Sequence, residues 1–136
     1  MIKIMVFGTF DILHKGHEYF LKESKKLGTY LIVIIGRDKN VKKFKNKHPV
    51  YNENNRLINI KKIPEVDEVI LGREDHDYSK IIEEKNPDIV CLGYDQKDLG
   101  LEKYLIENKL NIKIVRIKPY KEEKYKSSIL REKINN

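Results

Sequence analysis

Residues Gly8-Thr9-Phe10-Asp11-Ile12-Leu13-His14-Lys15-Gly16-His17 bring two imidazoles, an ammonium group and two glycines into one short stretch. An apolar run, Ile2 to Phe7, precedes them and an amphipathic stretch follows. That order predicts a strand, a glycine turn and a helix N-terminus. The first turn of a helix offers backbone N–H groups and a partial positive charge, so it attracts phosphate. His14 and His17, three residues apart, fall on one side of the entering helix. Gly16 lets backbone approach a phosphate closely. Taken alone, the histidine pair also fits a solvated helix face or two ligands of a metal site. A structural metal is disfavoured because no Cys or third His lies nearby in sequence. Asp11 is expected to cap the helix or hold the turn. Phe10 is expected to pack in the turn rather than serve as a platform for a base.

The elements that must position this turn follow a βα rhythm. Strands are predicted at Ile2–Gly8, Tyr30–Gly36, Glu68–Leu71, Ile89–Gly93 and Ile112–Ile117, each rich in Val and Ile and bounded by Gly, Pro or Asp, as for parallel strands buried on both faces. Helices are predicted between them. Gly16 to Lys26 places Tyr19, Phe20 and Leu27 on one apolar side, with Gly28 as its C-cap. Asn54 to Ile63 ends at Pro64, and Ser79 to Lys85 runs into Asn86-Pro87. Leu99 to Asn108 and Ser128 to Ile134 complete the set. The polar, basic stretch Lys39 to Tyr51 reads as a mobile loop. The expected fold is α/β: a single-domain Rossmann-like, doubly wound parallel sheet of five strands with helices on both faces, spanning residues 1–136. Ligands of such sheets bind beyond the carboxyl ends of the strands, at the switch in strand order. The segments Gly8–His17, Gly36–Asp38, Gly72–Arg73 and Gly93–Gln96 all follow strands and should share that edge.

Composition narrows the partners. Lys and Arg number 28 against 21 Asp and Glu, a net charge of +7. A basic chain suits nucleic acid or a small polyanion such as a nucleotide. There is no helix-turn-helix signal, zinc spacing or aromatic RNP pattern, and much of the excess sits at Lys39 to Lys47 and Lys113 to Lys126. A nucleotide is therefore favoured over nucleic acid. Coding bias toward lysine accounts for the total but not for its placement. The single cysteine, Cys91, excludes a disulfide framework. No apolar run approaches the ~20 residues of a membrane span. Ile2 to Phe7 is too short for the apolar core of a secretory leader, so a cytoplasmic protein is expected.

The motif Gly8-Thr9-Phe10-Asp11-x-x-His14-x-Gly16-His17 resembles the HxGH signature of the cytidylyltransferase-like nucleotidyltransferases. The resemblance continues through Gly36-Arg37-Asp38, Glu53-x-x-Arg56-Leu57, Val66-Asp67-Glu68-Val69-Ile70-Leu71-Gly72, Pro87-Asp88-Ile89, Leu92-Gly93-Tyr94-Asp95-Gln96 and Lys124-Tyr125-Lys126-Ser127-Ser128-x-x-x-Arg131. Within the superfamily, the Gly-Arg-Asp, Leu-Gly-Tyr-Asp-Gln and Tyr-Lys-Ser-Ser blocks look most like the archaeal FAD synthases, with bacterial glycerol-3-phosphate cytidylyltransferases second. The implied reaction is attack of an acceptor phosphate on the α-phosphorus of a nucleoside triphosphate, with loss of pyrophosphate. The first expectation is ATP with FMN as acceptor; the second is CTP with glycerol 3-phosphate. A nucleotide binder without catalysis is a third reading. No nucleic acid or membrane partner is expected.

The resemblance also implies residue roles. His14 and His17 stabilise charge on the reacting phosphates, with Lys47 as a third catalytic group. Gly8, Thr9, Phe10 and Gly16 lie against the nucleotide. Lys45 and Lys47 sit where the family's basic residues reach the triphosphate; an ordinary solvated lysine run is the alternative. Asn46 stands where the family has Gly. Arg56 meets phosphate or holds a neighbouring carboxylate. Gly93, Tyr94 and Asp95 lie near the ribose and base. Ser127 and Ser128 open the last helix, where a hydroxyl caps it and donates to phosphate, with Lys124 and Arg131 beside them. Arg116 has no clear counterpart. Tyr78, Tyr94, Tyr120 and Tyr125 are candidates for an aromatic acceptor pocket. Mg2+ is expected to be bound mainly through the triphosphate. A homodimer is implied through the Arg56 helix and Val66–Ile70.

Overall fold

The computed structural model describes residues 1–75 and 77–120, apart from the side chain of Phe44. Five parallel strands form one sheet: β1 (Lys3–Gly8), β2 (Tyr30–Ile35), β3 (Glu68–Leu71), β4 (Ile89–Gly93) and β5 (Lys113–Ile117). Their spatial order is β3-β2-β1-β4-β5. The central β1 pairs Lys3 to Gly8 with Tyr30 to Ile35 on one side, and Ile4 to Val6 with Ile89 to Cys91 on the other. The helices are α1 (Lys15–Lys25), α2 (Asp38–Lys45), α3 (Glu53–Lys61), α4 (Tyr78–Lys85) and α5 (Leu101–Glu107).

Strand alternation divides the core into two layers. Ile4 and Val6 of β1 pack with Leu21 of α1 and Ile60 of α3 on one face. Met5 packs with Ile81 and Ile82 of α4 and Leu101 and Leu105 of α5 on the other. Both faces are therefore covered, which is why the strands read as unbroken apolar runs rather than alternating ones. Crossing from β3 through α4 to β4 reverses the direction of strand addition. The reversal leaves a crevice between the carboxyl ends of β1 and β4.

Three local expectations are corrected. The stretch expected as a mobile loop from Lys39 to Tyr51 contains all of α2 but Asp38; only Val41 and Phe44 of its eight residues are apolar, so the stretch reads as polar and basic. Its last turn closes on Asn46 in the left-handed conformation at φ 56°, a cap that Asn tolerates. Gly28 does not cap α1; the helix closes on Lys26 with an ordinary right-handed backbone. Gly28 is needed for space, since a Cβ there would lie 2.3 Å from Ile4 Cδ1 and 2.6 Å from the Ile2 carbonyl oxygen. Leu27 is 38% exposed, and the fully buried residues of α1 are Leu21 and Ser24. The predicted helix Ser128–Ile134 lies outside the described residues.

Candidate active site

The turn after β1 is held tightly. Phe10 adopts a left-handed backbone at φ 51°, a strained conformation for an aromatic residue. Its ring folds back over Gly8, where a Cβ would lie 2.5 Å from the ring. The ring is only 6% exposed and meets His17 edge-on, with centroids 5.6 Å apart. The Phe10 side chain therefore supports His17 from the core.

The two histidines cap α1. His14 is the N-cap residue, with extended backbone, and its Nδ1 accepts the Gly16 N–H at 3.0 Å. His17 reaches back so that its Nδ1 accepts the His14 N–H at 3.3 Å. This is a capping box in which imidazoles stand where Ser and Glu usually do. The rings lie 4.0 Å apart with planes 32° off parallel. An Nδ1 that accepts a hydrogen bond carries no proton, so a neutral ring must carry its proton on Nε2. Burial, then the His14 ring and the Lys45 ammonium, push the His17 pKa down to about 4. Burial also lowers that of His14, against the pull of Glu18. At neutral pH the pair is thus uncharged, with the proton of each ring on Nε2. The Gly16 amide is engaged by His14 Nδ1.

Asp11 does not cap the helix. It is 9% exposed, and its two oxygens accept the Val50 and Tyr51 amides at 2.7 and 2.8 Å. Arg56 is fully buried. Its Nη2 pairs with Asp38 Oδ1 at 2.6 Å, Nη1 donates to the Thr9 carbonyl at 2.8 Å and Nε to the Tyr51 carbonyl at 3.0 Å. Of its two expected roles the structure shows the carboxylate-holding one. Asp38 and Glu53 complete the network, each carboxylate accepting the other's backbone N–H. Arg37 joins it, donating to Glu53 at 2.9 Å and to the Gly72 carbonyl at 2.8 Å. Lys45, the last residue of α2, and Lys47 are both exposed; Lys45 lies near enough to His17 to act on its titration.

Across the crevice, the turn after β4 is fixed by two residues that sequence reasoning gave no role. Gln96 accepts the Gly93 N–H at 3.1 Å and donates to the Phe7 carbonyl at 2.9 Å. Arg116 of β5 donates to the Gly93 carbonyl at 2.7 Å and to the Gln96 carbonyl. Gln96 had a signal, a long amide at the end of a post-strand turn. Arg116 had none, because its partners lie on another strand. Asp95 is exposed at the tip, and Tyr94 is half-buried. Gly8, Thr9, Gly16, His14, His17 and Gly93 to Asp95 thus gather at the two sides of one crevice. Lys124, Ser127, Ser128, Arg131 and Tyr125 lie outside the described residues.

The remaining tyrosine candidates do not converge. Tyr78 packs edge-on to Phe7 and Tyr104 and donates to the Leu99 carbonyl at 3.0 Å. Tyr120 packs edge-on to Tyr19 on α1. Among the described residues no group of three or more His, Cys, Asp or Glu side chains is arranged to hold a metal. Imidazole and ammonium groups, as on His14, His17, Lys45 and Lys47, are donors whose chemistry suits phosphate oxygen. Among the described residues no helix is long and apolar enough to cross a membrane.

A parallel sheet in this order, with a histidine pair at the switch point, defines a nucleotide-binding α/β protein. Residues 5–133 match the cytidylyltransferase-like family model, and the chain belongs to that family of nucleotidyltransferase enzymes. It is 43% identical over 136 residues to the FAD synthase of Thermoplasma acidophilum, covering 98% of this chain and 94% of that protein. It is 47% identical to the FAD synthase of Thermoplasma volcanium over the same shares. A crystal structure from Thermoplasma volcanium, described as a lipopolysaccharide core biosynthesis protein, superposes with a TM-score of 0.80 at 43% identity, covering 88% of this chain and 98% of that one.

Proposed function

We propose that this enzyme transfers AMP from ATP to FMN, giving FAD and pyrophosphate. The observation that carries the chemistry is the pair of neutral imidazoles fixed at the switch point, each Nδ1 accepting a backbone N–H. Full-length similarity to FAD synthases supports FMN as the acceptor. A phosphate oxygen of FMN forms the new bond to the α-phosphorus, and the bond to the bridging oxygen of the leaving pyrophosphate breaks. Charge grows on the oxygens around that phosphorus. His14 and His17 donate to them, and neutral donors fixed in advance need no reorganisation as the charge develops.

Lys45 and Lys47 take the outer phosphates. Gly8, Thr9 and Gly16 contribute backbone beside the phosphates, while Gly93, Tyr94 and Asp95 face the ribose and base. Lys124, Ser127, Ser128 and Arg131 are assigned to the triphosphate by their motif alone. A divalent cation, Mg2+ in our reading, neutralises the triphosphate, with ligands from phosphate oxygens and water. We also propose a homodimer; the half-exposed Ile58 on α3 beside the edge strand β3 supports it.

The test is pyrophosphate release with Mg2+, crossing ATP and CTP with FMN and glycerol 3-phosphate. Release from ATP and FMN alone, with FAD appearing on chromatography, is the expected result. Release from CTP and glycerol 3-phosphate instead would replace the acceptor and base while keeping the chemistry. Nucleotide binding without turnover in any pairing would overturn the catalytic reading.

A further inference from the structure

Residues 46 to 51, which join α2 to α3, read as a basic loop, yet both ends of the segment are fixed. At the near end Asn46 closes α2, and α2 is tied to α3 by the reciprocal Asp38–Glu53 bonds. At the far end the Val50 and Tyr51 amides donate to Asp11, and the Tyr51 carbonyl accepts from Arg56, which also holds the Thr9 carbonyl. Thr9 and Asp11 belong to the turn that carries His14. The basic segment is therefore fastened to the histidine turn at two points, through groups that are buried or nearly so.

We infer that Asp11 is a positioning residue for the nucleotide phosphates. It acts through the Val50–Tyr51 backbone, holding the segment that carries Lys47 and follows Lys45 at a set distance from His14 and His17. Both carboxylate oxygens already accept amide protons and the group is almost enclosed, so its influence passes along the chain rather than through contact with substrate. The carboxylate is suited to this because one group can accept two adjacent amides, and charged acceptors make the stronger hydrogen bonds. The inference rests on the reading that Lys45 and Lys47 bind the triphosphate.

The experiment is a mutant cycle read by steady-state titration of ATP at saturating FMN. Asp11→Asn keeps one acceptor oxygen but turns an NH2 group toward the second amide. It should raise KM for ATP roughly tenfold, the scale of one lost charged hydrogen bond, with kcat within about threefold. The pair Lys45→Ala and Lys47→Ala should raise KM by itself. Adding Asp11→Asn to that pair should raise it less than about twofold further, because nothing is left to position. Val50→Pro removes one donor while leaving Asp11 intact, and should give a smaller rise of the same kind that also vanishes without the lysines. Multiplying effects, or a loss confined to kcat, would overturn the inference. If the lysine pair alone leaves KM unchanged, the lysine assignment fails and takes the inference with it, a result distinct from additivity. A thermal melt of each variant fixes the temperature at which all are folded.

Discussion

Acidification should weaken the fold through His17 in a way that can be isolated. In the unfolded chain this imidazole titrates near 6.5, and in the fold near 4. Between those values the unfolded chain binds more protons, so stability falls as pH falls through 6.5 and the loss is complete below the folded value. The gap of about two and a half pH units corresponds to about 3 kcal/mol. At about pH 4.5, about 2 kcal/mol of it is already lost relative to about pH 7. Gln at position 17 keeps an oxygen that accepts the His14 amide but does not titrate. Urea unfolding followed by circular dichroism, at both pH values, should show wild type losing about 2 kcal/mol more than His17→Gln. The lowered carboxylates Asp67, Glu68 and Asp75 weaken both proteins alike and cancel. Equal losses in the two proteins would refute the neutral-imidazole argument. So would nitrogen NMR at neutral pH showing an Nδ1 proton on either ring.

Other outcomes follow from the same geometry. His14→Ala removes one donor to the developing charge and should lower kcat about 10²-fold or more. ATP affinity by calorimetry should stay within about tenfold, since other groups hold the triphosphate. Arg56→Met removes a fully buried guanidinium that holds Asp38 and two backbone carbonyls, and should destabilise by about 2 kcal/mol in urea unfolding. Gly8→Ala drives a Cβ into the Phe10 ring; because the ring supports His17, kcat should fall more than the melting temperature suggests.

The strands were legible because parallel strands buried on both faces must be continuous Val and Ile runs; Glu68–Leu71 and Ile89–Gly93 match to the residue. The α2 helix was not, because its two apolar residues, Val41 and Phe44, are set among six polar ones and the stretch reads as a basic loop. The histidines were legible as a motif but not as caps. Imidazole is an uncommon N-cap, so Asp11 drew the expectation that His14 fulfils. The partners of Asp11 and Arg56 were beyond reach for a different reason: Tyr51 lies 40 residues from Asp11, and Thr9 lies 47 from Arg56. No local pattern encodes a pairing at that distance. For the same reason Arg56 kept two readings until its burial decided between them.

The bond from Gln96 to the Phe7 carbonyl spans 89 positions, and the Lys3 amide reaches Asp88 across 85. Both sides of the crevice thus meet only once β4 and the turn after it exist. On a ribosome the histidine motif emerges before Arg56, and β4, which supplies the other wall, emerges after both. A nascent chain that already holds His14 and His17 must therefore wait for a strand not yet made before the crevice has two walls. Such long closures are also slow to find in a free chain. Translation order therefore separates the synthesis of the histidine turn from the closing of the crevice around it.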